Sequence, residues 1–155
     1  MTTDFKNELT IVRVLNAPRD KVWRACRDVE ALKQWWGLPT TAAMPGCTVD
    51  FRVGGAMHCE IVHDGNTVWF KWIYREIAEN EKLVLEQHFS DADGNDRDSP
   101  ARPVSMVTLL LEDMDGKTKL TVTHTGMASH VHAVEDYKQG WSESLDRFGD
   151  CLTRA

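Results

Sequence analysis

Residues 8 to 16, ELTIVRVLN, alternate in a period of two. Leu9, Ile11, Arg13 and Leu15 share one side, and Thr10, Val12 and Val14 the other, which predicts a strand. Ala17-Pro18-Arg19-Asp20 then turns the chain, with Pro18 placed where a helix starts. A first helix is predicted over 18–26, carrying Val22, Trp23 and Cys26. A second is capped by Asp28 and carries Val29, Leu32, Trp35 and Trp36 up to Gly37 and Pro39. In KQWWG the two tryptophans are adjacent, so they point in different directions. Either can join Leu32 on an inward face, because both three and four residues are helical spacings. One ring is expected to plug the open end of a sheet and the other to cover a neighbouring seam.

From 40 to 127 the period returns to two, interrupted by turn signals. Pro45-Gly46 marks a bend or bulge, and Asp64-Gly65-Asn66 and Asp115-Gly116 mark hairpins. Met57, Cys59 and Ile61 fall on one face of their strand. Val68, Phe70, Trp72 and Tyr74 fall on one face of the next, with Trp69, Ile73 and Ile77 opposite. Strands at 82–89, 104–112 and KLTVTHT bring the count to about six after the helix pair. The polar stretch 90–103, SDADGNDRDSPARP, predicts a mobile loop that gates access. The final segment changes to helical period: Val134, Tyr137, Trp141, Leu145, Phe148 and Leu152 form one face. Gly140 lies beside that face. It costs about 1 kcal/mol against alanine, so a close approach to the sheet, or to something held there, is expected.

This order predicts one α+β domain over 1–155. A curved antiparallel sheet of six to seven strands wraps a long C-terminal helix, and two short helices follow the first strand. Such a sheet readily leaves an interior cavity, the usual place for a ligand.

The chain has 155 residues, enough for a hydrophobic core without staples, and a formal net charge of -6. An acidic balance excludes nucleic acid and anionic membranes as expected partners. No secretory leader is expected in MTTDFKNELT, and no apolar run reaches the roughly 18 residues of a membrane span. Cys26, Cys47, Cys59 and Cys151 lack a CxxC spacing, so reduced thiols in a cytoplasmic protein are expected.

Four separated motifs carry a resemblance across nearly the whole chain. They are APRDKVWRACRDVEALKQWWG, DFRVGG (Val53 standing where proline is usual), YREIAENEKLVLEQHF and KQGWSESLDRF. The chain resembles the START-like, helix-grip superfamily, and within it the family of the C-terminal domain of the heat-shock-protein-90 ATPase activator. The resemblance implies the helix-grip fold, and a homodimer is in keeping with it. It does not fix a function, since members differ widely.

The residues expected to face the cavity and contact a ligand are Met57, Cys59, Phe70, Trp72, His88, Met106 and Trp141. As a set they favour a small hydrophobic or aromatic molecule, with core filling as the plainer role for each. His88 or His124 could supply an acid or base if the protein were a cyclase, hydrolase or lyase. Glu60, Glu86 and Glu112 are strand carboxylates of unassigned face. No nucleophile–base set, phosphate loop or cofactor fingerprint is present, so no catalytic residue and no cofactor is expected, and Ser142 and Ser144 are read as structural. His130, His132, Glu135 and Asp136 lack zinc spacing, and DADGNDRD lacks the last ligand of a calcium loop, so no metal is expected. Chaperone association ranks third, because the activator is a two-domain protein and this chain has room for one.

Overall fold

A computed structural model describes residues 8–36, 42–100, 102–127 and 133–153. The order is β1 (Glu8–Leu15), α1 (Arg19–Ala25), α2 (Val29–Trp35), β2 (Ala42–Val49), β3 (Ala56–His63), β4 (Asn66–Ala78), β5 (Lys82–Ser90), β6 (Ser105–Met114), β7 (Lys117–Thr125) and α3 (Ala133–Thr153). The strands form one antiparallel sheet in the order β1-β7-β6-β5-β4-β3-β2. It curls as a half-barrel around α3, the helix-grip α+β architecture. Each neighbouring pair from β2 to β7 is consecutive in sequence, and β1 closes the far side against β7.

Turn chemistry sets the registers. Asp64 and Gly65 (φ 52° and 76°) and Asp115 and Gly116 (φ 52° and 87°) supply the two positive-φ positions of tight hairpins. The bend expected at Pro45-Gly46 is a register shift between Ala43 and Gly46. A second shift lies between Tyr74 and Glu76. It moves Ile77 onto the same face as Tyr74, paired with Leu83, where strict alternation had placed it opposite. The DFRVGG segment docks on this bulged strand: Gly54 N–H donates to the Tyr74 carbonyl at 2.8 Å, and Tyr74 N–H donates to Gly55 O at 3.0 Å. A Cβ on Gly55 would lie 2.2 Å from the Asp50 carbonyl oxygen, so only glycine fits there.

The concave face carries Leu9, Ile11 and Leu15 of β1, Met57, Cys59 and Ile61 of β3, and Trp72 and Tyr74 of β4. Leu83 and Leu85 of β5, Val107, Leu109 and Leu111 of β6, and Leu120 and Val122 of β7 continue it, all buried. Trp141, Leu145, Phe148 and Leu152 of α3 pack against them. Val134 lies outside the residues whose side chains are described, as do Gly37, Pro39, His130 and His132 entirely.

Both tryptophans of KQWWG are buried, in different places. Trp35 stacks on Phe148, with ring centroids 3.8 Å apart and planes 5° from parallel. Its Nε1 donates to the Ala25 carbonyl at 2.9 Å, so it seals the seam between the short helices and α3. Trp36 points between sheet and helix, edge-on to Trp72 at 5.7 Å and Trp141 at 5.4 Å. The Ser144 hydroxyl donates to the Trp35 carbonyl, which gives that serine a structural task. Lys21 Nζ donates to the Leu152 carbonyl at 2.8 Å, capping an otherwise unpaired end of α3.

Cys47 and Cys59 stand directly opposite each other on β2 and β3, Cα atoms 4.1 Å apart, and are joined as a disulfide. The expectation of four reduced thiols is therefore corrected. Their spacing of 12 residues carried no signal, because the pairing follows from strand register. Cys26 and Cys151 are free.

Candidate functional site

The cavity lies at one end of the grip, about 860 Å³ in volume and half open. Ile61, Val68, Phe70 and Phe89 of the sheet face Tyr137 and Gly140 of α3 across it. Arg97 and Arg102 come from the segment after β5, and Asp136 and His63 also line it. Gly140 is buried. It lines the cavity beside the apolar stripe of α3.

Of the residues expected to contact a ligand, only Phe70 lines this cavity. Met57, Cys59, Trp72 and Trp141 do face inward, but they are at most 4% exposed and fill the core beneath. Trp36 takes the volume between Trp72 and Trp141 that those positions would otherwise leave open. Met106 is placed on the convex face, and its expected cavity position is corrected. Strand β6 begins at Ser105, so Val107, Leu109 and Leu111 take the inward positions. Glu60, Glu86 and Glu112 share that convex face by the same alternation.

His88 is also corrected to the convex face, between inward Gln87 and Phe89 on β5. Its burial comes from the 91–98 segment folded over it. His88 Nδ1–H donates to Asp98 at 2.7 Å and Nε2–H donates to Glu86 at 2.5 Å. With a carboxylate on each nitrogen the ring is held as imidazolium. Burial alone would pull its pKa down, but the hydrogen bonds to Asp98 and Glu86 and the charges of Asp98 and Asp96 outweigh it, and the net direction is up.

The 91–98 segment is a built turn. The Asp91 carboxylate accepts from the backbone N–H of Asp93 and Asn95, and Arg97 pairs with Asp91 at 2.8 Å. Lys71 reaches Asp96 at 2.6 Å. His88, Asp96 and Asp98 offer ligand atoms within 4.8 Å of one another, a metal-like grouping. Lys71 and the doubly donating His88 already satisfy those carboxylates, so the group reads as an ion network.

His124 faces inward, fully buried, in a closed chain. Trp141 Nε1–H donates to His124 Nδ1 at 3.1 Å, and His124 meets the Ser105 hydroxyl through Nε2 at 2.9 Å. An indole only donates, so Nδ1 is the acceptor and Nε2 carries the proton. Burial pushes the pKa of this imidazole down to about 4. It does not line the cavity.

Alternation did not reveal the polar group that backs the cavity wall. Gln87 is an inward position 3% exposed, and its Oε1 accepts from Trp72 Nε1 at 2.8 Å. Its Nε2, beside the Tyr137 hydroxyl, has no partner in hydrogen-bonding geometry. The signal was available: Gln87 interrupts the apolar series Leu83, Leu85, Phe89, and Tyr137 belongs to the helical stripe. No helix among the described residues is long and apolar enough to cross a membrane.

The fold is shared with solved structures. One is a protein from Chromobacterium violaceum, 26% identical with a TM-score of 0.79, covering 96% of this chain and 99% of its own. Another, from Nitrosomonas europaea, is 21% identical with a TM-score of 0.80 and 97% coverage of each chain. The AHSA1-like protein from Aeromonas hydrophila is 18% identical with a TM-score of 0.74, covering 94% of this chain and 92% of its own. No curated protein matches the sequence. Residues 16–153 match the family described as Activator of Hsp90 ATPase homolog 1-like protein, and the chain belongs to that family.

Proposed function

We propose that the protein binds a small, largely apolar or aromatic molecule in the cavity between β3–β5 and the first half of α3. The observation that supports this is the cavity itself. It is large enough for a drug-sized molecule, walled by Ile61, Val68, Phe70, Phe89 and Tyr137, and opened further by buried Gly140. The enzyme reading loses its two histidines: His88 is on the other face of the sheet, and His124 is closed between Trp141 and Ser105. The test is a neutral reporter, N-phenyl-1-naphthylamine, whose fluorescence rises in apolar surroundings. A saturable rise is expected with the native chain, and Val68→Trp, which fills the space, abolishes it while thermal stability is kept. No rise with the native chain, or an equal rise with the variant, overturns the reading.

A further inference from the structure

We infer that the ligand of this cavity carries an anionic oxygen head, a carboxylate on an apolar or aromatic body, received by Arg102 and the Tyr137 hydroxyl. The inference rests on the proposed binding function and names its ligand class.

The two groups stand on one wall, with Gln87 behind it. Arg102 and Tyr137 both line the cavity, and the Arg102 guanidinium lies 5.1 Å from the centre of the Phe89 ring, which lines it too. Gln87 is the next inward position below Phe89 on β5, adjacent to the Tyr137 hydroxyl. Trp72 fixes how its amide lies: the indole can only donate, so Oε1 is turned to it and the NH2 group is turned away. That NH2 is buried outside the cavity lining and faces the Tyr137 hydroxyl, so the phenol oxygen takes the amide as its donor side and its own O–H is left to turn to a ligand.

The charges at the mouth are unequal in their commitments. Arg97 is taken by Asp91 and by the Asp96 carbonyl. Arg102 makes no ion pair with any described residue. It is held over an aromatic face with its planar fork free to take a carboxylate. Asp136, the acid on the lining, is exposed in the first turn of α3 and forms no ion pair with Arg102. A carboxylate bound at Arg102 therefore gains a guanidinium and a hydroxyl donor, while its body lies on Ile61, Val68, Phe70 and Phe89.

The experiment compares 2-naphthoic acid and decanoic acid with their methyl esters by calorimetry on the native chain and on Arg102→Gln. The acids are expected to bind about tenfold or more tightly than the esters. Arg102→Gln, a change at an exposed position, is expected to close that gap, weakening the acids about tenfold more than the esters. Esters binding as tightly as acids, or a gap that survives Arg102→Gln, overturn the inference while leaving the apolar cavity reading intact. Failure of all four probes, together with failure of the neutral naphthylamine, overturns both.

Discussion

The indole N–H of Trp141 donates to Nδ1 of His124 at 3.1 Å, joining α3 to β7 through a histidine that must stay neutral. With its folded pKa near 4 against an ordinary 6.5, the unfolded chain takes up a proton first as pH falls. His124 therefore adds no penalty above pH 6.5, and stability is lost as pH falls from 6.5 toward 4, by up to about 3 kcal/mol. Urea midpoints measured at pH 7.5 and pH 5 should fall accordingly. His124→Gln, which keeps an acceptor for Trp141 and a donor for Ser105, should flatten that drop. An unchanged pH dependence in the variant would show that His124 is not its source.

Most of the framework was legible because it rests on local chemistry. The Asp-Gly pairs fix the hairpins, the period-two runs fix the strands, and Tyr137, Trp141, Leu145, Phe148 and Leu152 fix the buried face of α3. Depth was not legible. Met57, Trp72 and Trp141 point the right way, but whether an inward side chain lines a void or fills the core depends on what reaches it from elsewhere. Here that is Trp36, brought in by a helix 36 residues before Trp72 in the chain. Two other misassignments have local causes. Met106 follows a loop that gives no parity reference, and Ile77 follows a bulge. Cys47 and Cys59 meet only through the register of β2 on β3.

His88 works in the opposite sense to His124. Its folded pKa is raised, so its contribution is fully present below about pH 6.5 and is lost as pH rises through the folded value. Around the ring stand Glu86, itself held by Arg75, then Asp98, and Asp96 with Lys71. Losing the ring's charge loosens the grip of Asp98 on the segment that carries Arg97 to the cavity mouth. Amide exchange across 91–98 should therefore accelerate as pH rises through the raised folded value of His88, beyond the chemical rate change. His88→Gln should exchange fast at every pH. Equal protection in native and variant chains at pH 6 would remove the clasp.

The Cys47–Cys59 bond is checked by counting thiols. Denatured without reductant, the chain should show two, from Cys26 and Cys151, and four after reduction. Closing a loop of 12 residues is worth about 3 kcal/mol in the unfolded state, so reduction should lower the unfolding midpoint. Four thiols without reductant would mean that the two sulfurs are neighbours and nothing more.

Trp35 and Trp36 separate by what each loses on substitution. Both are buried to within 1% of completely, so Trp35→Ala and Trp36→Ala should each cost about 3–5 kcal/mol. Phenylalanine discriminates between them. Trp35→Phe keeps a ring against Phe148 but removes the N–H that satisfies the Ala25 carbonyl, leaving a half-buried acceptor open. Trp36 has no hydrogen-bond partner for its indole N–H among the described residues, so Trp36→Phe loses only volume between Trp72 and Trp141. Trp35→Phe should be the more destabilising by about 1 kcal/mol in urea unfolding. The site of damage should differ as well. Trp35→Phe should raise amide exchange where α2 meets α3, and Trp36→Phe should raise it in β4 and at the centre of α3. Equal, small losses for the two alanine variants would mean that neither ring plugs the grip.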